Sequence, residues 1–318
     1  MLALGLGYLA HAVPWNDRCT EGRALDACAT GDVEPGLRTV LATMDARLLA
    51  LGAFVYALGA PLWAARWRFV LSVAPSSPPY VVLFRASVEA YAAMALFVGG
   101  IGGDAVRLGT LVSQGLPTPW AVASLGVDRA IGLAALVTAA LLVAAPELVA
   151  LSHVLGLLLP AGLVALVCGL AAVLLAPIPR ACPGSVRRFV EAVRGPYGTA
   201  PARLGLMALL QAFATSLGVA ATQLGAFACF LAAAHAAPPS VARVVAGIVE
   251  TFVVGAIPTV PGGWGTGEAA CVFFLEPAGI REAQALAASV AFRLSVFPVA
   301  ALGVLSAALR AKGRGQST

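Results

Sequence analysis

The sequence predicts an all-α polytopic membrane protein with two inverted-topology repeats, each a re-entrant helical hairpin plus a transmembrane helix. Three observations predict it. Hydrophobic residues make up 60% of the 318 residues and charged residues only 11%, whereas a soluble domain carries roughly a quarter charged residues. Apolar runs exceed the roughly 20 residues needed to cross a bilayer core: residues 205–234 hold no charge, and 148–179 hold only His153. Finally, a glycine-rich break followed by an acid occurs twice, as GGIGGDAVR (Gly99 to Arg107) and PGGWGTGEAA (Pro261 to Ala270).

The expected spans are 2–14, 47–65, 79–98, 120–145, 149–176, 204–234, 240–257 and 283–309. The first is short for a full crossing and lacks the basic start of a signal peptide. It reads as a transmembrane helix shortened at its start. Residues 15–46 are polar, with Pro, Gly and mixed charges, and read as an external loop with a short interfacial helix. The whole chain, 1–318, is expected to form one integral membrane domain, with repeat 1 at about 79–145 and repeat 2 at about 240–310.

Arginine placement sets the orientation. The 177–203 loop holds five arginines against Glu191, Arg66 and Arg68 follow the second span, and Arg310, Lys312 and Arg314 follow the last. The positive-inside rule makes these regions, and the C-terminus, cytoplasmic. Parity then requires 79–118 to enter and leave on the cytoplasmic side and 240–281 on the outer side. The two glycine-broken hairpins would dip in from opposite faces. Irregular backbone at that depth is tolerated only where protein or a cavity surrounds it.

Charge spacing supports a duplication. Asp104 to Arg129 is 25 positions (129 − 104), and Glu268 to Arg293 is also 25 (293 − 268). Both breaks also follow an arginine and a glutamate, Arg85 with Glu89 and Arg243 with Glu250. Charges in apolar segments are expensive and favour functional sites. Paired, interrupted segments in matching halves point to a transporter's binding region.

RWRFVL (Arg66 to Leu71), GGIGGDAVR, VDRAIGL (Val127 to Leu133), PTVPGGWGTGE (Pro258 to Glu268) and ALAASVAFRL (Ala285 to Leu294) together resemble the lysylphosphatidylglycerol synthase transmembrane-region family. The resemblance covers about residues 50–310. It implies a polytopic, flippase-like protein that moves or handles lipids, aminoacylated phosphatidylglycerol or lipid-carried sugars among them. The soluble aminoacyl-transfer domain of bifunctional members has no counterpart in these residues, so no enzymatic activity is expected.

The expected function is a lipid flippase or a transporter of a lipid-linked anionic substrate. Arg129 and Arg293 would grip a headgroup phosphate, since a guanidinium offers a planar fork of donors. Helix starts after the breaks add N–H groups and positive dipole ends. The expected substrate-binding set is Asp104, Arg107, Asp128, Arg129, Glu250, Gly262, Gly263, Glu268 and Arg293. Glu89 and Glu250 are also candidate proton carriers or partner carboxylates, because burial favours the neutral carboxyl. The structural alternative stays open: five core arginines (85, 107, 129, 243, 293) face five core acids (89, 104, 128, 250, 268), so each arginine has a prospective partner. Arg107 is equally readable as a lipid anchor at the cytoplasmic interface.

Other functional classes remain as alternatives: a non-transporting membrane partner of a glycosyltransferase or synthase, or an ion-coupled transporter of a small anion. His11, His153 and His235 are scattered, so neither metal nor cofactor is expected. Cys19 and Cys28 either form a disulfide in an oxidising compartment or remain free thiols. The expected partners are membrane lipids, either anionic phospholipid or a polyprenyl-phosphate-linked substrate, and not nucleic acid. Self-association is left open. The expected location is a bacterial-type inner membrane.

Overall fold

The computed structural model describes residues 8–9, 11–19, 28, 33–96, 101–151, 184, 191, 202–255 and 264–315. Among them are a two-stranded antiparallel pairing, β1 (Arg18–Cys19) with β2 (Val33–Glu34), and eleven helices. The first five are α1 (Leu37–Thr43), α2 (Ala46–Ala57), α3 (Gly59–Leu71), α4 (Tyr80–Leu96) and α5 (Ile101–Ser113). Next come α6 (Thr118–Leu151), α7 (Ala202–Ala233), α8 (Val241–Gly255) and α9 (Thr266–Leu275). A 3-10 turn (Glu276–Ala278) then leads to α10 (Glu282–Leu294) and α11 (Val296–Gly315).

The protein is a helical, multi-pass membrane protein. Four stretches are long and apolar enough to cross a membrane: Ala46–Leu71, Thr118–Ala139, Gly205–Ala233 and Glu282–Leu309. They match the spans expected at 47–65, 120–145, 204–234 and 283–309. Helix α6 runs on through Pro146 to Leu151, where the sequence suggested a break. Most of 2–14, the rest of 149–176 and nearly all of the basic 177–203 loop lie outside the described residues.

The helices divide into two compact units. Unit I is drawn from Leu58–Met94, Ile101–Ala221 and Pro298–Thr318, and unit II from Met1–Ala57, Ala95–Gly100 and Thr222–Phe297. In unit I, Trp67 and Leu71 of α3, Leu83 of α4, Leu111 of α5 and Ala121 of α6 share one buried cluster. This brings the start of α4 and the end of α5 together, so the pair forms a hairpin. Helices α4 and α5, of 17 and 13 residues, extend about 25 and 20 Å at 1.5 Å per residue. Both fall short of a ~30 Å hydrocarbon core.

Unit II contains the corresponding hairpin, α8–α9. A Cβ on Gly247 of α8 would stand 2.6 Å from the Phe274 carbonyl oxygen of α9. At the ends of the pair, Pro239, just before α8, lies beside Gly279, just after α9. The 15–46 segment packs at one end of this unit. His235 Nε2 meets the Thr43 carbonyl at 2.8 Å, and Asp45 N–H donates to the Ala233 carbonyl at 3.0 Å. Arg18 reaches Glu34 at 2.8 Å and Glu282, in the first turn of α10, at 3.8 Å. Thr39 and the Gly36 N–H hydrogen-bond Asp17 and hold its carboxyl below the usual carboxylate range. The loop, the end of α7 and the start of α10 are therefore neighbours.

A Cys19–Cys28 disulfide closes this loop, which settles the choice the sequence left open. The short helix expected within it is α1; the β1–β2 pairing was not anticipated. On unfolding without reductant, alkylation should spare Cys19 and Cys28, and mass spectrometry should find them modified only after reduction.

Candidate functional site

Helix α5 begins inside the first glycine break, with Gly102 and Gly103 already helical, and carries Asp104 in its first turn, where the positive end of the helix dipole favours an acid. Helix α9 begins after the second and carries Glu268 in its first turn. Each acid meets the arginine 25 positions on. Asp104 Oδ2 accepts from Arg129 Nε at 2.8 Å and Nη2 at 2.6 Å. Glu268 pairs with Arg293 Nε and also accepts from the Gly265 N–H at 2.6 Å. A Cβ at Gly267 would overlap the Arg293 guanidinium, so the glycine leaves room for the arginine as it is placed.

The two pairs differ in access. Arg129 and Asp104 are 48% and 29% exposed, whereas Arg293 and Glu268 are 20% and 4% exposed. Trp264 adds to the closure, its ring centre lying 5.6 Å from the Arg293 guanidinium. Of the expected unit I binding residues, Asp104 and Arg129 form an open pair. Arg107 and Asp128 do not join it.

Asp128 instead organises a buried cluster. Its Oδ1 accepts from Arg66 Nε at 2.7 Å, and its Oδ2 from Arg66 Nη2 at 3.0 Å and Arg107 Nη1 at 2.9 Å. Trp63 Nε1 adds a fourth bond at 3.3 Å. The Arg107 guanidinium lies 4.7 Å from the Trp63 ring centre and 4.0 Å from that of Trp67, within cation–π range. Arg107 is 1% exposed and Asp128 fully buried. Arg107 is thus not an interfacial anchor, because its charge is committed inside the unit.

The sequence reading took Arg66 as a cytoplasmic marker and passed over Trp63 and Trp67. Arg66 is 7% exposed and belongs to this cluster; Arg68 is left as the exposed basic residue of α3. The missed signal was spacing. Trp63, Arg66 and Trp67 stand at i, i+3 and i+4, one face of an apolar helix. Gly132 of α6 receives Arg66, since a Cβ there would lie 2.7 Å from Nη1.

The remaining expected residues are dispersed. Glu89, buried on α4, accepts from the Ser306 hydroxyl of α11 at 3.1 Å. Glu250 is half-buried on α8, while Arg85 and Arg243 are exposed. Gly99, Gly100, Gly262 and Gly263 lie outside the described residues. No group of His, Cys, Asp and Glu suited to a metal ion occurs among the described residues.

The contacts of the two units correspond at one constant offset. Asp104–Arg129 and Glu268–Arg293 are 164 positions apart (268 − 104 and 293 − 129). The same offset carries Trp63, Arg66, Arg107 and Asp128 onto Phe227, Phe230, Cys271 and Phe292. Where Arg66 and Trp63 meet Asp128, Phe230 and Phe227 meet Phe292, with ring centres 6.4 and 5.4 Å apart. The correspondence reaches upstream of residue 79, where the repeat was expected to begin, and takes in α3 and the end of α7.

Four stretches long and apolar enough to cross a membrane, with ion pairs among them, define an integral membrane protein. The chain belongs to the family described as the lysylphosphatidylglycerol synthase TM region, whose model matches residues 35–303. This agrees with the resemblance read from the motifs and ties the chain to a membrane-lipid-related function. No curated protein matches the chain.

Replacing Asp128 by Asn should strand two buried guanidinium groups and lower unfolding stability by about 3–5 kcal/mol. Asp104→Asn, at an open pair, should cost about 1 kcal/mol or less. Denaturant titration in detergent measures both, and equal losses would contradict this division of roles.

Proposed function

We propose that the protein is a lipid flippase, moving a lipid with an anionic headgroup between leaflets without chemical change to it. The observation that carries this reading is the open Asp104–Arg129 pair, an arginine fork inside a transmembrane unit of a lipid-linked family. A phosphate can exchange for Asp104 there, because phosphate accepts the same paired N–H donors as a carboxylate.

The repeats are inverted, with α4–α5 entering from the cytoplasmic side and α8–α9 from the outer side. The short helices and their returning hairpin geometry support re-entry. The packing of the 15–46 loop against the end of α7 and the start of α10 supports an outer location for those ends. The difference in access between two equivalent ion pairs is what an inverted-repeat carrier needs, since one half opens while its counterpart is closed. In this reading the C-terminus is cytoplasmic, the membrane is a bacterial-type inner membrane and no cofactor takes part. Arg129 and Arg293 are the headgroup ligands, Asp104 and Glu268 are their resting partners, and Arg107 and Asp128 hold the frame.

Purified protein in liposomes should translocate a fluorescent anionic lipid, and Arg129→Gln should slow it roughly tenfold or more, the scale of a lost bond to a charged group. An unchanged rate, or no translocation by the intact protein, would reject the assignment and favour a non-transporting partner of a synthase.

Topology is tested separately. Single cysteines at Ser113 and Glu276, with the Cys19–Cys28 disulfide kept and the other cysteines replaced, should label from opposite faces of the membrane. Labelling from one face would remove the inversion.

A further inference from the structure

We infer that unit I seats a small inorganic monoanion of the halide class between α4 and α5, held by Arg107 and Ser87 and separate from the open Asp104–Arg129 pair. The ion is resident and not cargo, and the inference stands apart from the flippase reading. The first ground is the free edge of Arg107. Arg66 and Arg129 each grip a carboxylate with Nε and Nη2, the two N–H groups on one edge of a guanidinium. Arg107 commits only Nη1, which donates to Asp128 at 2.9 Å. Its Nε and Nη2 have no acceptor among the described residues, although it is 1% exposed. The Trp63 and Trp67 rings attract its charge but offer these N–H groups no oxygen. Unmet buried donors are costly, and one anion meets both at once.

The second ground is Ser87. It is fully buried on α4, and its hydroxyl has no partner among the described residues. A helical serine turned inward commonly bonds the carbonyl one turn back, as Ser216 does to Ala212 at 2.7 Å. Ser87 does not. The hairpin register sets it level with Arg107. A Cβ on Gly103 would stand 3.1 Å from the Ala90 carbonyl oxygen, and Leu111 shares a buried cluster with Leu83. Arg107 lies one turn from both Gly103 and Leu111, and Ser87 lies between Leu83 and Ala90. Tyr91, one turn beyond Ser87 on the same face of α4, sets its ring 5.2 Å from that of Trp63, which meets Arg107. Glu89 is on another face of α4, bonded to Ser306 of α11 at 3.1 Å.

The third ground is charge. Arg66, Arg107 and Asp128 are joined by their ion pairs and carry +1 (2 − 1). A water molecule would accept from Arg107 but leave this buried charge unbalanced, whereas a monoanion does both. Unit II shows that the frame does not require the site. At the offset of 164 positions, Ser87 and Arg107 become Thr251 and Cys271. Thr251 donates to the Gly247 carbonyl at 2.8 Å and Cys271 to the Ala285 carbonyl at 3.4 Å. Both polar groups there close on the backbone, and Phe230 and Phe292 stand where unit I has Arg66 and Asp128. The near-complete burial of Ser87 and Arg107 selects an ion of one or a few atoms.

Thermal unfolding of the purified, delipidated protein in a non-ionic detergent tests this. Chloride or bromide titrated against gluconate at constant ionic strength should raise the melting temperature saturably, by roughly a few degrees. Ser87→Ala should raise the half-saturating halide concentration roughly tenfold. Arg107→Lys, which keeps the charge and removes the fork, should abolish the response. Should Arg107→Lys fail to fold, Ser87→Ala decides. Ser87→Asp brings a carboxylate to the same fork and should melt at one temperature in either salt. A melting temperature indifferent to halide overturns the site and leaves the fork to water. A rise that never saturates, or one that Ser87→Ala does not move, places the halide elsewhere and overturns it equally. None of these results bears on lipid translocation, so the flippase reading is decided separately.

Discussion

The carboxylate of Asp128 is the point on which unit I depends. It accepts four hydrogen bonds, from two arginines and a tryptophan on α3 and α5, while fully buried on α6. None of these three helices can shift far without leaving a buried charge unpaired. The tryptophan rings complete the enclosure by covering Arg107. This is a costly way to join three helices. The clustered aromatic rings of unit II join the end of α7 to α10 without the desolvation cost.

The comparison separates what the fold needs from what one half adds. Both units keep an acid in the first turn of a short helix and an arginine 25 positions on, and both keep a buried leucine at equivalent sites, Leu111 and Leu275. These shared features define the hairpin and its ion pair. Trp63, Trp67, Arg66, Arg107 and Asp128 belong to unit I, and Phe292 with its four aromatic neighbours to unit II. The two units share these contacts and differ in their interiors, one charged and one packed with aromatic rings.

Much of this was readable beforehand. Apolar length located four spans, because crossing a bilayer imposes a minimum run that few substitutions hide. The repeated spacing of 25 identified both ion pairs, because an acid and an arginine are conspicuous against alanine and leucine. The role of Arg66 was not readable. An arginine near the end of an apolar span looks like a positive-inside marker, and only the packing of α3 on α6 shows it turned inward. The upstream extension of the repeat escaped for a related reason. Arg66 and Asp128 share no chemistry with Phe230 and Phe292, so at these positions the correspondence exists in contacts and not in residue types. The disulfide was also undecidable, since two cysteines in a polar loop do not reveal whether they meet.

The placement of the acids explains why one pair is held less firmly than the other. Asp104 sits in the first turn of α5, so an anion that draws Arg129 away leaves the carboxylate still favoured by the helix dipole. Glu268 is held more firmly. It accepts from Gly265, pairs with an arginine pressed against Gly267, and is 4% exposed beneath the Arg293–Trp264 contact. Drawing Arg293 away there would leave a buried carboxylate short of a partner, at a cost that rises with burial. The same sequence pattern therefore yields a labile pair or a latched one according to access alone.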